Sequence, residues 1–131
     1  MRPIIAFGVG LLASAASLAQ DPTQEPEKYF PQQMTAKDLS LYCASSSMTD
    51  RGRQRQKYCL GFVSGVEEAV RLLAKQNTSS QFSKICLPQE KNARQFTDVY
   101  VKYAVRKATD LKKPAALVVI EALKKEFPCT D

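Results

Sequence analysis

The sequence predicts an all-α protein, a small bundle of four helices held by two disulfides. After residue 33, four segments carry apolar residues at steps of three and four, which is the spacing of one helix face. No segment of useful length alternates apolar and polar residues as a half-buried strand would. The four cysteines, an even number, all lie between residues 43 and 129 and indicate disulfides in an oxidising compartment.

Residues 1–19 have the pattern of a secretory signal peptide. A basic residue is followed by a short apolar run, and the small residues Ser17 and Ala19 mark a predicted cleavage after Ala19. The run is too short to be a membrane anchor, which needs ~20 apolar residues. We therefore expect an exported protein with no stable membrane insertion.

Two further regions follow the predicted signal peptide. Residues 20–33 contain prolines among polar residues and predict a flexible N-terminal arm, and residues 34–131 are long enough for one helical domain. The whole chain carries a net charge of +6. A basic surface of this kind suits an acidic protein or anionic lipid. Nucleic acid is not expected as a partner of an exported protein.

The first helix is predicted to begin at a capping box, because Asp38 follows Thr35 by three positions. The serine run 45–47 should end it, and a loop should then reverse the chain. Four basic residues on this loop and the next turn form a candidate patch for an anion or an acidic partner: Arg51, Arg53, Arg55 and Lys57. The alternative for them is an ordinary solvated loop.

The central helix should carry Cys59 in its first turn and run to about Lys75. Its predicted apolar face comprises Cys59, Phe62, Val63, Val66, Ala69, Val70 and Leu73. Gly61 and Gly65 lie four residues apart, on one side of this helix. Since glycine costs roughly 1 kcal/mol relative to alanine inside a helix, we expect another backbone to pack closely there. The pattern leaves open whether that backbone belongs to the same fold or to a second copy.

The third helix should begin near Asn92, with Gln95 completing a second capping box. Its predicted buried face comprises Phe96, Val99, Tyr100, Tyr103 and Ala104. A short turn follows, and Pro114 suits the first position of a fourth helix. In that helix, four apolar residues are predicted to face inward: Leu117, Ile120, Leu123 and Phe127.

Four cysteines allow three pairings. The predicted layout favours Cys43–Cys59, across the reversing loop, and Cys86–Cys129, at the outer ends of two antiparallel helices. A zinc site is the weaker alternative, because the chain has no C-x-x-C pair and no histidine.

The sequence indicates a binding protein rather than an enzyme. The absence of histidine excludes every histidine-based triad, dyad and metal site. Glu67 and Glu68 are adjacent and would point to different sides of a helix, so they do not form an acid/base pair. No glycine-rich phosphate loop is present, and we expect neither a cofactor nor a metal.

Several motifs in order resemble the Rap1a/Tai family of periplasmic immunity proteins. They are Leu41-Tyr42-Cys43, Cys59-Leu60-Gly61-Phe62-Val63-Ser64-Gly65, Ile85-Cys86-Leu87-Pro88, Pro114-Ala115-Ala116 and Phe127-Pro128-Cys129. The resemblance implies a four-helix bundle of the HdeA-like or Rap1a type, usually a homodimer. It further implies a protein that binds a peptidoglycan amidase effector of type VI secretion and sterically blocks its active-site groove.

By the same resemblance, the connection between helices three and four projects toward the amidase. The candidate contact residues there are Asp110, Leu111, Lys112 and Lys113, and the alternative is an ordinary solvated turn. Family members often show His-Pro after helix three, whereas this chain reads Ala108-Thr109-Asp110. Two other functions remain alternatives: a periplasmic acid-stress chaperone, or an envelope-binding helical protein without a toxin partner.

Overall fold

The computed structural model describes residues 33–76 and 81–130. The predicted signal peptide and almost all of the N-terminal arm lie outside these residues. Four α-helices are present in the described part: α1 Ala36–Cys43, α2 Asp50–Gln76, α3 Ala93–Arg106 and α4 Ala115–Glu126. Two short 3₁₀ helices span Gln81–Lys84 and Ala108–Lys112. The described residues include no strand, and the predicted all-α class is confirmed.

Both predicted capping boxes are present. The Thr35 hydroxyl accepts a hydrogen bond from the Asp38 N–H at 3.2 Å, and the Asp38 carboxylate accepts the Thr35 N–H at 3.3 Å. The Asn92 and Gln95 side chains accept each other's backbone N–H in the same way, at 3.1 and 2.9 Å. Each box satisfies two backbone donors that the first helical turn leaves without a partner.

Helix α2 begins earlier than the sequence predicts. It starts at Asp50, so the expected reversing loop forms its first turns and Cys59 lies in its third turn rather than its first. The Thr49 hydroxyl accepts the Gly52 N–H at 3.0 Å and so supports this start. Gly52 is buried, and a Cβ atom there would overlap the Ser46 carbonyl oxygen. The close backbone approach in α2 therefore occurs at Gly52.

Gly61 and Gly65 do not pack against another backbone of the described fold, which corrects that expectation. Both are exposed on the outer side of α2, and a Cβ atom added to either would meet no other atom within 4 Å. The inner side of α2 carries the buried residues Cys59, Val63 and Val70 instead.

The core is formed by residues from all four helices. Tyr100 is its largest fully buried side chain, and its hydroxyl donates to the Ala36 carbonyl at 2.8 Å. The same hydroxyl is 3.1 Å from the Ser40 hydroxyl. The pKa of Tyr100 is raised overall, because the effect of burial exceeds the opposing effect of the hydrogen bond with Ser40. The predicted face of α3 is correct, since Phe96, Tyr100 and Ala104 are buried.

The predicted inner face of α4 is correct for Leu123, which is buried, and for Ile120 and Phe127, which pack against the core, but it is wrong for Leu117. Leu117 is exposed, and the buried residues are Ala115, Val118, Val119, Ala122 and Leu123. Pro114 precedes the helix as its N-cap rather than opening it. Residues 115–120 are apolar on every side, so the sequence pattern there does not distinguish one face from another.

The structure contains the two disulfides that the sequence favours. The Cα atoms of Cys43 and Cys59 are 5.2 Å apart, and those of Cys86 and Cys129 are 4.9 Å apart. The second bond lies beside an isolated antiparallel bridge between Ile85 and Pro128. A similar bridge joins Thr35 to Pro114, so both ends of α4 are tied to remote parts of the chain.

Arg71 connects α2 to the segment 85–88. It pairs with Glu67, whose side chain is only 11% exposed, and donates hydrogen bonds to the carbonyls of Leu87 at 3.0 Å and Pro88 at 2.7 Å. Its guanidinium also lies 5.7 Å from the centre of the Phe96 ring. One side chain therefore satisfies a buried carboxylate and two backbone acceptors.

No helix within 33–76 or 81–130 combines the length and apolarity needed to cross a bilayer.

Candidate functional site

The connection between α3 and α4 is a structured segment. Its 3₁₀ helix, Ala108–Lys112, is closed by hydrogen bonds from the Asp110 N–H to the Lys107 carbonyl and from the Lys113 N–H to the Asp110 carbonyl, both 2.9 Å. The Ala36 N–H at the start of α1 donates to the Lys113 carbonyl at 2.9 Å. The connection is thus fixed to α1 as well as to the two helices that it joins.

Lys113 holds the connection together through its side chain. Its ammonium lies 3.2 Å from the Asp110 carboxylate and 3.3 Å from the Glu121 carboxylate on α4. The hydrogen bond to Asp110, followed by that to Glu121, raises the pKa of Lys113. Tyr103 donates to Glu121 at 3.4 Å, and desolvation, with Glu121 next in effect, raises the pKa of its hydroxyl. These ion pairs favour the charged form of Lys113 and engage its ammonium group within the protein.

The four predicted contact residues therefore differ in what they offer a partner. Asp110 and Lys113 pair with each other, and Leu111 is half-buried against the core. Lys112 is exposed to solvent. It is the member of the set whose side chain is most available for a new contact.

The basic residues at the start of α2 lie on a helix rather than on the predicted loop. Helical spacing places Arg51 with Arg55 on one side and Arg53 with Lys57 on another, so they form two pairs. Arg53 pairs with Asp50 and donates to the Ser47 carbonyl at 3.0 Å, while the Arg55 guanidinium lies 5.4 Å from the centre of the Tyr42 ring. Part of this positive charge is thus engaged locally.

The surface also carries a groove that sequence reasoning missed. It has a volume of about 240 Å³, lies between α3 and α4, and is lined by four basic side chains: Lys102, Arg106, Lys107 and Lys125. The spacing of Lys102 and Arg106 at i and i+4 could have placed two of them on one helix face, but only the packing of α3 on α4 adds Lys125.

Two larger grooves carry mixed charge. One, of about 640 Å³, lies between α2 and the segment 85–91, and its lining includes Glu67, Glu68 and Arg71. The other, of about 470 Å³, lies beside the Cys43–Cys59 disulfide and contains Arg53, Arg94 and Asp98. No cluster of three or more cysteine, aspartate or glutamate side chains that could hold a metal occurs in the described residues.

Comparison with known proteins places the chain in a family. A family model described as Rap1a immunity proteins matches residues 35–129, a range that includes all four helices and both disulfides. No curated protein and no solved structure matches the sequence. Since the family model covers well over half of the chain, the protein belongs to the Rap1a family of immunity proteins.

Proposed function

We propose that the protein binds a peptidoglycan amidase effector of type VI secretion in the periplasm and blocks its active-site groove. The observation that carries this proposal is the family match over residues 35–129. An immunity protein acts by binding its effector, so the chain needs no catalytic group of its own. The two disulfides support an oxidising compartment such as the periplasm.

The connection between α3 and α4 is the proposed inhibitory element. Its backbone is already fixed by hydrogen bonds to α1 and by the ion pairs of Lys113, so little conformational freedom is lost on docking. Preorganisation of this kind favours tight binding, because ordering a loop on association would oppose it. Lys112 would form the tip that enters the amidase groove, with only the exposed part of Leu111 beside it.

A homodimer is part of the proposal. The outer side of α2 at Gly61 and Gly65 is a candidate face for it, because no atom of the described residues occupies the space beside these glycines. A second helix could approach closely there.

The decisive experiment for the function is rescue. An amidase encoded beside this gene, exported to the periplasm, should lyse cells, and co-expression of this protein should restore their growth. The two purified proteins should also form a stable complex that suppresses peptidoglycan cleavage. Lysis that continues despite a folded, co-exported protein would overturn the proposal.

The Lys112→Glu substitution tests the connection. We expect it to weaken amidase binding at least about tenfold, equivalent to about 1.4 kcal/mol, because it reverses the exposed charge at the proposed tip. Isothermal titration calorimetry would measure the change. Reversing Lys113 as well would confuse the result, since it would also break the ion pairs with Asp110 and Glu121.

The matched control is Lys75→Glu, which makes the same charge change at an exposed position near the end of α2. It should alter the affinity by less than about twofold. Equal affinities for the wild type and Lys112→Glu would remove this residue from the interface.

A further inference from the structure

The groove between α3 and α4 concentrates positive charge in a small volume. Four cations line it, and Glu126 is the acidic residue in its lining, so the net charge there is about +3 at neutral pH. Val99, which is partly exposed, contributes apolar surface to the same groove. Positively charged side chains beside an apolar surface suit an aspartate or glutamate side chain, which combines a carboxylate with a methylene stem.

In the described part of the chain, Glu126 offsets only one of the four positive charges in the groove lining. Among residues 33–76 and 81–130, none of the four cations lies in an ion pair, although the nearby carboxylates Asp110 and Glu121 are both engaged by Lys113. Like charges within a Debye length of about 10 Å repel one another. An acidic ligand would relieve that repulsion, and the groove is built to attract one.

The groove is continuous with the proposed inhibitory element. Arg106 is the last residue of α3, and Lys107 caps that helix while its carbonyl accepts the Asp110 N–H at 2.9 Å. Lys107, in the groove lining, and Lys112 thus stand at the two ends of one short segment, which is short enough for a single partner surface to span.

We propose that the groove receives an acidic segment of the effector, with aspartate or glutamate carboxylates against Lys102 and Arg106. This inference rests on the proposed function and adds a second, electrostatic contact to it. Complementary charge of this kind mainly speeds association and makes it sensitive to salt. The groove therefore sets how fast the effector is captured, while the connection blocks its chemistry.

The first test uses a fluorescently labelled deca-glutamate peptide and the full chain. The Lys102→Gln/Arg106→Gln variant should bind this probe at least about tenfold more weakly than the wild type at low salt. The control, Lys75→Gln/Lys84→Gln, removes the same charge from exposed positions at the end of α2 and in the first 3₁₀ helix. It should change the affinity by less than about twofold. Equal losses in the two variants would show a net-charge effect and overturn the proposal.

A second pair at the same groove, Lys107→Gln/Lys125→Gln, should reproduce the first result. All four side chains are exposed, so circular dichroism spectra of the variants should match that of the wild type. Anionic phosphatidylglycerol vesicles provide the competing ligand. If the vesicles but not the peptide bind in a groove-dependent way, the partner is a membrane surface and the proposal is wrong.

Association kinetics with the amidase separate this inference from the function on which it rests. The Lys102→Gln/Arg106→Gln variant should associate at least about tenfold more slowly at low salt, with little change in dissociation. Unchanged rate constants would overturn the groove proposal and leave the immunity function intact. If the wild type binds no amidase, the proposed function and the effector as occupant both fail, and the peptide titration alone decides whether the groove takes acidic chains.

Discussion

Replacing Arg71 with alanine is expected to lower the free energy of unfolding by about 3–5 kcal/mol. The substitution leaves the Glu67 carboxylate, whose side chain is 11% exposed, without its cation. It also removes the donors to the Leu87 and Pro88 carbonyls, and with them the connection between α2 and the segment that leads to Cys86. Urea denaturation under non-reducing conditions would measure the loss.

Two further variants define the role of Arg71. Arg71→Lys keeps the charge, but a lysine ammonium lacks the planar guanidinium that bonds Glu67 and both carbonyls at once. This variant should therefore be less stable than the wild type and more stable than Arg71→Ala. Arg94→Ala removes an exposed arginine of α3 and should cost about 0.5 kcal/mol or less. If Arg71→Ala were no more destabilising than Arg94→Ala, the interpretation of Arg71 as an internal connector would be wrong.

The Cys86→Ser/Cys129→Ser variant is expected to lose about 4 kcal/mol of stability. The bond joins residues 43 positions apart, and a loop of that length restricts the unfolded chain by about this amount on a chain-entropy estimate. Backbone hydrogen bonds from the Cys86 N–H to the Phe127 carbonyl and from the Cys129 N–H to the Lys84 carbonyl remain available. The variant should therefore fold to the same helical structure and unfold at a lower urea concentration.

The comparison for that variant is Cys43→Ala/Cys59→Ala. Its 16-residue separation predicts a smaller chain-entropy effect of about 3 kcal/mol, to which burial of Cys59 adds the loss of packed sulfur. Unfolding followed by circular dichroism and by tyrosine fluorescence would give both values. A loss below about 1 kcal/mol for Cys86→Ser/Cys129→Ser would contradict the chain-entropy account.

Features set by neighbouring residues could be predicted from the sequence. The two capping boxes depend on residues three positions apart, and both form as the sequence indicates. The pairing of the cysteines followed from the order of the helices and the short reversal between α1 and α2. The face of α3 was also correct, because polar residues separate its apolar positions clearly.

Features that depend on contacts between distant parts of the chain could not be predicted from the sequence. The early start of α2 depends on the close approach of Gly52 to Ser46, which the sequence does not distinguish from a turn glycine. Glu67 can lie on the buried side of α2 because it pairs with Arg71, which the remote carbonyls of Leu87 and Pro88 hold in turn. Gly61 and Gly65 face outward because the described elements that pack on α2 meet its other side.

The candidate binding surface shows the same division. The sequence locates the connection between α3 and α4, but it cannot show that Lys113 is engaged by Asp110 and Glu121 while Lys112 is exposed. The basic groove arises only when α3 and α4 pack side by side, which brings Lys125 near Lys102 and Arg106.

The positions of the two disulfides also impose an order on biosynthesis. A chain that emerges amino terminus first presents Cys43 and Cys59 together, well before Cys129 has been synthesised. In an oxidising compartment the α1–α2 hairpin can therefore be locked early, whereas the bond that secures the end of α4 must wait for Cys129. An oxidase acting on nascent chains would meet a correct first pair before any wrong partner from the carboxy terminus was available.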